Sequence, residues 1–315
     1  MPGRAPKLVS VVIPAYNHGR FIRATVANVL EQTYRPLEVI VVNDGSTDHT
    51  EQELEPVLGR IKYVVQANKG LSAARNEGIR QSRGEWIALL DADDLWHPRK
   101  LEVQLTAVEN QEKIALIGSP GSTEPGARIL AEELPPDPPV RPLTVRDLLL
   151  SARIGPSSAV IRSRCFESVG MFDESLQPAA DRDMWLRIAA KAPCVLVESS
   201  CWWYRRHPGQ MSRNADRMYL DYRRLLSKFF GANPEYRRLR GLAMSYLYFD
   251  AAVAYFDEGR RTTALNCLAR SAAYRPAGLG DPRRPGPIRS KLAARIMLDE
   301  IRRVAGGDIS LRSSA

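Results

Sequence analysis

Apolar and polar positions change rhythm along the chain. Up to about residue 117, short β-branched apolar runs alternate with amphipathic stretches, which predicts strands at residues 9–13, 39–42, 63–65, 86–90 and 114–117 with helices between them. That alternation predicts an α/β fold with a doubly wound, mostly parallel sheet and helices on both faces, whose ligands bind at the carboxyl ends of the strands. Between residues 119 and 142 the chain is rich in Pro, Gly and Glu, as in Pro135-Pro136-Asp137-Pro138-Pro139, and a loop without regular structure is expected. Such a loop is either a lid over the site or a surface insertion without function. A helix at 144–150, a strand at 158–161, a helix from about Ala180 and an aromatic stretch at 201–205 follow. From about residue 213 strand signals cease, and the segments 218–230, 236–256, 261–274 and 288–304 carry helical spacing. A first domain of residues 1–212 and an α-helical C-terminal region of residues 213–315 are therefore expected. The segment 251–273 resembles a tetratricopeptide-like helix pair, a likeness that concerns shape alone.

Composition fits this division. A length of 315 residues, 44% of them hydrophobic and 26% charged, suits a globular protein with one large core or a core plus an appendage. The longest apolar runs are too short to cross a bilayer and residues 1–7 lack the apolar core of a signal peptide, so a cytoplasmic location is expected. Cys165, Cys194, Cys201 and Cys267 share no metal-binding or redox spacing and are read as reduced thiols in or near cores. Charge separates the two parts: residues 213–315 carry 20 Lys/Arg against 10 Asp/Glu, residues 1–212 carry 25 against 26, and the net +9 sits in the helical region. A membrane surface or an acidic polymer suits that region as a partner, with solvated Arg-rich helix faces as the alternative. In the last helix Leu292, Ile296, Leu298 and Ile301 lie near Arg289, Lys291, Arg295, Arg302 and Arg303, which permits peripheral membrane contact; packing on the preceding helices competes for the same apolar residues. Nucleic acid is not an expected partner, because the basic residues are not interleaved with a stacking sheet.

The chemistry gathers at the predicted strand ends. They read Pro14-Ala15-Tyr16-Asn17, Asn43-Asp44-Gly45-Ser46 and Asp91-Ala92-Asp93-Asp94. Three carboxylates directly after a buried strand repel one another and are costly to desolvate, so a divalent cation or a set of donors is needed to offset them. Oxygen ligands favour magnesium or manganese over zinc, and such ions commonly complete their shell with substrate phosphates. An acidic turn capping the helix that begins near Pro98 is the alternative. The strand ends lack both Gly-x-Gly-x-x-Gly and Gly-x-x-x-x-Gly-Lys, which argues against a nicotinamide dinucleotide enzyme and a P-loop protein.

Four motifs in order, Val11-Val12-Ile13-Pro14-Ala15-Tyr16-Asn17, Val42-Asn43-Asp44-Gly45-Ser46-Thr47-Asp48, Asn68-Lys69-Gly70-Leu71-Ser72-Ala73-Ala74-Arg75-Asn76 and Asp91-Ala92-Asp93-Asp94, resemble those of the family 2 glycosyltransferases over roughly residues 8–212. The resemblance implies a GT-A fold and transfer of a sugar from a nucleotide sugar with inversion at the anomeric carbon. It implies that Asp44 holds the nucleotide base, and a carboxylate that accepts an imide proton favours a UDP-sugar, with a dTDP-sugar second. Ala15 and Tyr16 would meet base or ribose, Arg75 base or phosphate, and Asp91 the ribose or the groups behind the metal. Asp93 would be the ligand of Mn2+ or Mg2+; Asp94 receives no role. Asn43-Asp44-Gly45 also reads as a tight turn, and Arg75 as an ion-pair residue.

Asp181-Arg182-Asp183-Met184-Trp185-Leu186-Arg187 resembles the family's second acidic motif, usually Glu-Asp, although Ala180 replaces the Glu. On a helix Asp181, Met184, Trp185 and Ile188 share one face while Asp183 points about 200° away, so Asp181 is the candidate general base and Asp183 pairs with Arg187. A first-turn carboxylate serving the helix dipole is the alternative for Asp181. Arg205-Arg206-His207-Pro208-Gly209-Gln210-Met211-Ser212 resembles the closing segment, in which His207 would complete the metal shell; otherwise it is a turn residue. Trp202 and Trp203 are candidates for an acceptor platform, with at least one expected in the core, and Trp96 and His97 share that ambiguity. The implied acceptor is a hydroxyl of a glycan, a lipid-linked sugar or a cell-envelope polymer. A catalytically inactive glycan- or nucleotide-binding scaffold is the competing reading.

Overall fold

The computed structural model describes residues 6–123, 131, 133–135, 137–150, 154–207, 214–276 and 288–310. Strand β1 (Val9–Ala15) is buried at all seven positions, as a strand with neighbours on both edges and helices on both faces must be. Its side chains alternate between two layers. Val9, Val11 and Ile13 join Val39 and Val41 of β2 (Leu37–Asn43) and Ile22, Val26 and Val29 of helix α1 (Gly19–Leu30) in the main core. On the other face Ile40 and Val42 pack with Ala74 of α3 (Leu71–Arg80), and Val12 meets Gly78 of the same helix. A Cβ on Gly78 would lie 2.3 Å from Val12 Cγ1, so the close approach of this helix to the sheet depends on glycine.

The other strands of the main sheet are β3 (Lys62–Val65), β4 (Trp86–Leu89), β6 (Leu116–Gly118), β8 (Val140–Pro142), β9 (Val160–Arg162) and β10 (Cys194–Val197). Their order is β3-β2-β1-β4-β9-β6-β10-β8. The pairs β1–β2, β2–β3, β1–β4 and β6–β10 are parallel, whereas β9 runs antiparallel to β4 and β6, and β8 to β10. The expected α/β sheet with helices on both faces is thus present, mostly parallel with antiparallel insertions. From β1 the chain winds through β2, α2 (Thr50–Leu54) and β3 to one side, then returns through α3 to β4 on the other side of β1. The winding reverses between β1 and β4, the place at which sheets of this kind bind ligands across the carboxyl ends of their strands. Helices α4 (Lys100–Thr106), α5 (Val145–Leu150), α6 (Cys165–Val169) and α7 (Ala180–Ala189) complete this part. A second sheet of three short strands joins β5 (Leu95–Trp96), β11 (Trp202–Trp203) and β7 (Gly121–Ser122).

Regular structure within residues 119–142 corrects the expectation that this segment has none. β7 and β8 lie near its two ends, and Leu134 is buried in the main core. Strands of two or three residues leave no periodic signal, and Pro142 is tolerated because β8 is an edge strand. Residues 124–130, 132 and 136, on which the lid reading partly rests, lie outside the described residues. All four cysteines are free and buried.

The chain divides into two compact units, residues 1–209 and 210–315. The expected boundary at 212/213 lies outside the described residues. In the second unit Asn214 caps helix α8 (Ala215–Ala232) by accepting from Arg217 N at 2.8 Å. The helix expected over 236–256 starts later: residues Pro234–Leu239 form a 3₁₀ turn, and α9 covers Arg240–Asp257. It pairs with α10 (Arg261–Tyr274) through reciprocal bonds in which the hydroxyls of Ser245 and Ser271 each donate to the other residue's carbonyl. In α11 (Ile288–Ser310) Ile296 is fully buried while Met297 and Leu298 are exposed, so the apolar residues are divided between packing and solvent. The side chain of Ile301 lies outside the described residues. Among the described residues no helix is long and apolar enough to cross a membrane.

Candidate functional site

The loops after β1 and β2 are stitched to each other. Asn17 adopts φ 56°, a left-handed conformation that asparagine tolerates, and is held there by Ser46 Oγ, which accepts from its N–H at 3.0 Å, and by Thr47 N, which donates to its Oδ1 at 2.8 Å. Asn43 Oδ1 accepts from Ser46 N at 2.8 Å, forming the tight turn expected at Asn43-Asp44-Gly45. Gly45 has φ 71°, and a Cβ there would approach Asn68 N to 2.9 Å.

Asp44 is buried, and its carboxylate gathers the loop before α3: Gln66 Nε2 and Lys69 N donate to Oδ1 at 2.7 and 2.9 Å, and Gly70 N donates to Oδ2 at 2.8 Å. Three donors leave about one of the carboxylate's four lone-pair sites for a ligand. Ala15 is buried beside it, its carbonyl accepting from Asp44 N at 2.8 Å, whereas Tyr16 is 44% exposed. Arg75, at 2% exposure, donates from Nη2 to Asp91 Oδ1 at 2.7 Å, while its Nε finds no partner among the described residues. It is an ion-pair residue, but a buried one. Asn76 binds Phe172 on both backbone groups, donating to its carbonyl at 3.0 Å and accepting from its N–H at 2.8 Å, and so anchors the segment that leads to α7.

Asp94, left without a role by the sequence, is a buried structural carboxyl. Ser157 Oγ donates to its Oδ2 at 2.5 Å and Arg205 N to its Oδ1 at 3.1 Å. Burial, with Asp93 and Asp91 adding repulsion, holds its pKa well above the ordinary carboxylate range. Ser157 also accepts from Asp91 N at 3.1 Å, and its carbonyl accepts from Trp96 Nε1 at 2.6 Å, so one serine braces the acidic turn. Its only signal in the sequence is its place in Pro156-Ser157-Ser158, just ahead of a predicted strand.

Asp93 meets His207, whose Nε2 lies 2.8 Å from Asp93 Oδ2. The structure adds His18, which the sequence reading missed. One ligand atom each from His18, Asp93 and His207 lie within 4.8 Å of one another. Two ring nitrogens and a carboxylate oxygen at that separation fit a divalent ion. The signal for His18 was its position directly after β1, on the edge where the other polar groups gather. Phe21 flanks His207 at 5.0 Å between ring centroids, and the Arg205 guanidinium lies between the rings of Phe21 (4.6 Å) and Trp203 (5.0 Å). Residues 208–212 of the closing segment lie outside the described residues.

Helix α7 separates its two carboxylates as expected. Asp183 is buried and paired with Arg187, Nε to Oδ2 2.7 Å, and Arg187 also donates to Met171 O at 3.0 Å. Asp181 is half-buried and accepts from Arg182 N at 2.7 Å; burial raises its pKa against the opposing charges of Arg75 and Arg182. Ala180 before it is fully buried.

Trp202 is corrected from acceptor platform to core residue. It is 7% exposed, and its indole fills a slot floored by glycines, where Cβ atoms at Gly121 and Gly155 would come within 2.4 and 2.7 Å. Trp203, pointing the other way, is only partly buried. Trp96 and His97 are buried as well, which settles their ambiguity as core.

The family model described as Glycosyl transferase family 2 matches residues 10–163. An uncharacterized glycosyltransferase of Rickettsia felis is 30% identical over 258 residues, 79% of this chain, of which the chain spans only 42% of the length. One of Rickettsia typhi is 33% identical over 239 residues, 70% of this chain and 71% of that protein. Among solved structures, S. aureus TarS 1–349 aligns with a TM-score of 0.59 at 18% identity, covering 85% of this chain and 81% of that one; it is also solved with UDP-GlcNAc. The mannosyltransferase PcManGT from Pyrobaculum calidifontis, in complex with GDP-Man and Mn2+, aligns with a TM-score of 0.59 at 20% identity over 94% of this chain and 81% of that one. At such identities these neighbours establish the fold alone, which is of the GT-A type. Identity of one third with a glycosyltransferase spanned over most of its length is evidence of kinship rather than of shape, and the chain belongs to glycosyl transferase family 2.

Proposed function

We propose that this chain is an inverting glycosyltransferase that moves a sugar from a UDP-sugar to a hydroxyl of a glycan, a lipid-linked sugar or a cell-envelope polymer. The observation that carries the reading is the meeting of Asp93 and His207, 2.8 Å apart, at the switch point between β1 and β4. Donor complexes of neighbouring folds, TarS with UDP-GlcNAc and PcManGT with GDP-Man and Mn2+, support a nucleotide sugar. The remaining acceptor site on Asp44 favours uracil, with thymine second. Ala15, Tyr16 and Asp91 line the base and ribose, and Arg75 holds Asp91 in place.

Asp93 and His207 hold Mn2+ or Mg2+, which when bound supplies Lewis-acid stabilisation of the departing diphosphate. Asp181 takes the proton of the acceptor hydroxyl as its oxygen attacks the anomeric carbon from the side opposite the diphosphate, which inverts the configuration. Its raised pKa makes it a stronger base than an ordinary aspartate. Arg205, fixed between Phe21 and Trp203, meets the diphosphate, and Trp203 offers the acceptor an aromatic face. The basic helical unit suits an anionic membrane surface at the cytoplasmic face.

The test is a panel of nucleotide sugars with Mn2+, read first as a rise in melting temperature and then as release of nucleoside diphosphate. A UDP-sugar that stabilises the protein and is turned over on adding acceptor supports the reading; stabilisation by none of them contradicts it. Ala180, in the place where the family usually has Glu, favours a second reading as an inactive nucleotide-binding scaffold, and binding without turnover across the acceptors would select it.

A further inference from the structure

We propose that His18 is a third protein ligand of the divalent ion, so that the site holds its metal with two imidazoles and one carboxylate. The inference rests on the metal role given above to Asp93 and His207 and adds to it. Ligand atoms of an ion bound at about 2.0–2.3 Å lie roughly 3–4.5 Å apart, so the 4.8 Å limit on His18, Asp93 and His207 needs only small side-chain adjustments to close.

The backbone presents His18 for this use. Left-handed Asn17, locked by Ser46 and Thr47, turns the chain sharply after β1. The next residue is then fixed at the start of α1, where its carbonyl accepts from Phe21 N at 2.8 Å and Ile22 N at 2.9 Å and its N–H donates to Thr50 Oγ1 at 3.0 Å. That position usually carries Ser, Thr, Asp or Asn, whose side chain caps the helix. Here the imidazole does not cap it, and lies instead against His207 with the rings at 87° and 6.3 Å between centroids. Among the described residues its ring makes one hydrogen bond, a long 3.4 Å contact in which Nδ1 accepts from Tyr16 N.

Among the described residues, neither neighbouring carboxylate belongs to the group formed by His18, Asp93 and His207. Asp91 is engaged by Arg75, and Asp94 by Ser157 and the backbone of Arg205. The donors gathered with Asp93 are nitrogens, and the site differs from the all-oxygen one that the acidic run suggested. Imidazole nitrogen favours first-row transition ions over magnesium. The geometry accordingly points to a preference for Mn2+ over Mg2+ that depends on His18.

Mn2+ added to the 315-residue chain without nucleotide tests this directly. Free Mn2+ is read by its solution electron paramagnetic resonance signal, and directly bound nitrogen by pulsed detection of 14N coupling. The wild type should show coupling to two nitrogens, His18→Ala and His207→Ala to one each, and the double variant to none. His18→Ala should weaken Mn2+ binding at least about tenfold, as loss of even a group behind a ligand does, and change Mg2+ competition less. His18→Asn supplies a residue preferred at helix starts, so it keeps the fold while losing the imidazole, and it should match His18→Ala in nitrogen coupling. One nitrogen in the wild type, unchanged in His18→Ala, would overturn the proposal and leave the metal role of Asp93 and His207 intact. Mn2+ binding that is absent, or unaffected by Asp93→Ala, would overturn that role as well.

Discussion

Lys100 offers the sharpest quantitative test of the fold beneath the site. It is the first residue of α4, its side chain is fully buried, and Nζ lies 3.9 Å from the centre of the Trp96 ring with no hydrogen-bond partner among the described residues. Burial pushes its pKa down from the ordinary 10.5 to about 7. At about 1.4 kcal/mol per pKa unit this drop corresponds to roughly 5 kcal/mol against the buried ammonium. Between pH 7 and 10.5 the unfolded chain holds a proton that the folded chain has lost, so stability rises with pH across this window and the full penalty applies below it. Lys100→Met keeps the length and the contact with Trp96 without the charge. It should therefore raise the free energy of unfolding by up to about 5 kcal/mol at pH 6, with the gain fading to near zero by about pH 10.5. All five tryptophans lie in the first unit, so urea unfolding at pH 6, 8 and 10 followed by their fluorescence reads the difference. A difference independent of pH, or a loss of stability at pH 6, would refute the reasoning.

Other consequences concern the base, the helix approach and the brace. Asp181→Asn should abolish transfer while leaving affinity for the nucleotide sugar near normal, measured as turnover against calorimetric binding. Because burial raises the folded pKa of Asp181, its ionised form costs stability above that pKa and not below 3.8, so the same variant should melt higher than wild type at pH 7 and equal to it in strong acid. Gly78→Ala should destabilise the first unit by about 1–3 kcal/mol in urea titration, because the added carbon would collide with Val12. Ser157→Ala should cost about 1–3 kcal/mol, because the buried Asp94 loses its donor, and an unchanged unfolding midpoint would show the brace to be idle.

Much of this architecture was readable because it repeats a simple period. Val9, Val11 and Ile13 against Val12 declare a strand covered on both faces, and the 3.6-residue period of α7 set Asp181 and Asp183 on different faces. Long-range geometry without local period was not readable. β7 and β8 are too short to alternate, and the antiparallel insertion of β9 depends on partners far away in sequence. Trp202 resembles an exposed aromatic until Gly121 and Gly155 are seen to open a slot for it. At the site, Asp93 and His207 carried motif context, whereas His18 stands before a glycine in what reads as an ordinary turn. Ser157 stands 63 positions from the carboxylate it supports, so its role exists only after folding.

Calorimetric titration of UDP into the 315-residue chain, with Mn2+ or with EDTA, tests the central claim most directly, namely that Asp93 and His207 hold a cation that in turn holds the diphosphate. Binding in Mn2+ that weakens at least about tenfold, some 1.4 kcal/mol, both in EDTA and in Asp93→Ala is the predicted result. UDP binding of equal affinity in all three conditions would contradict it.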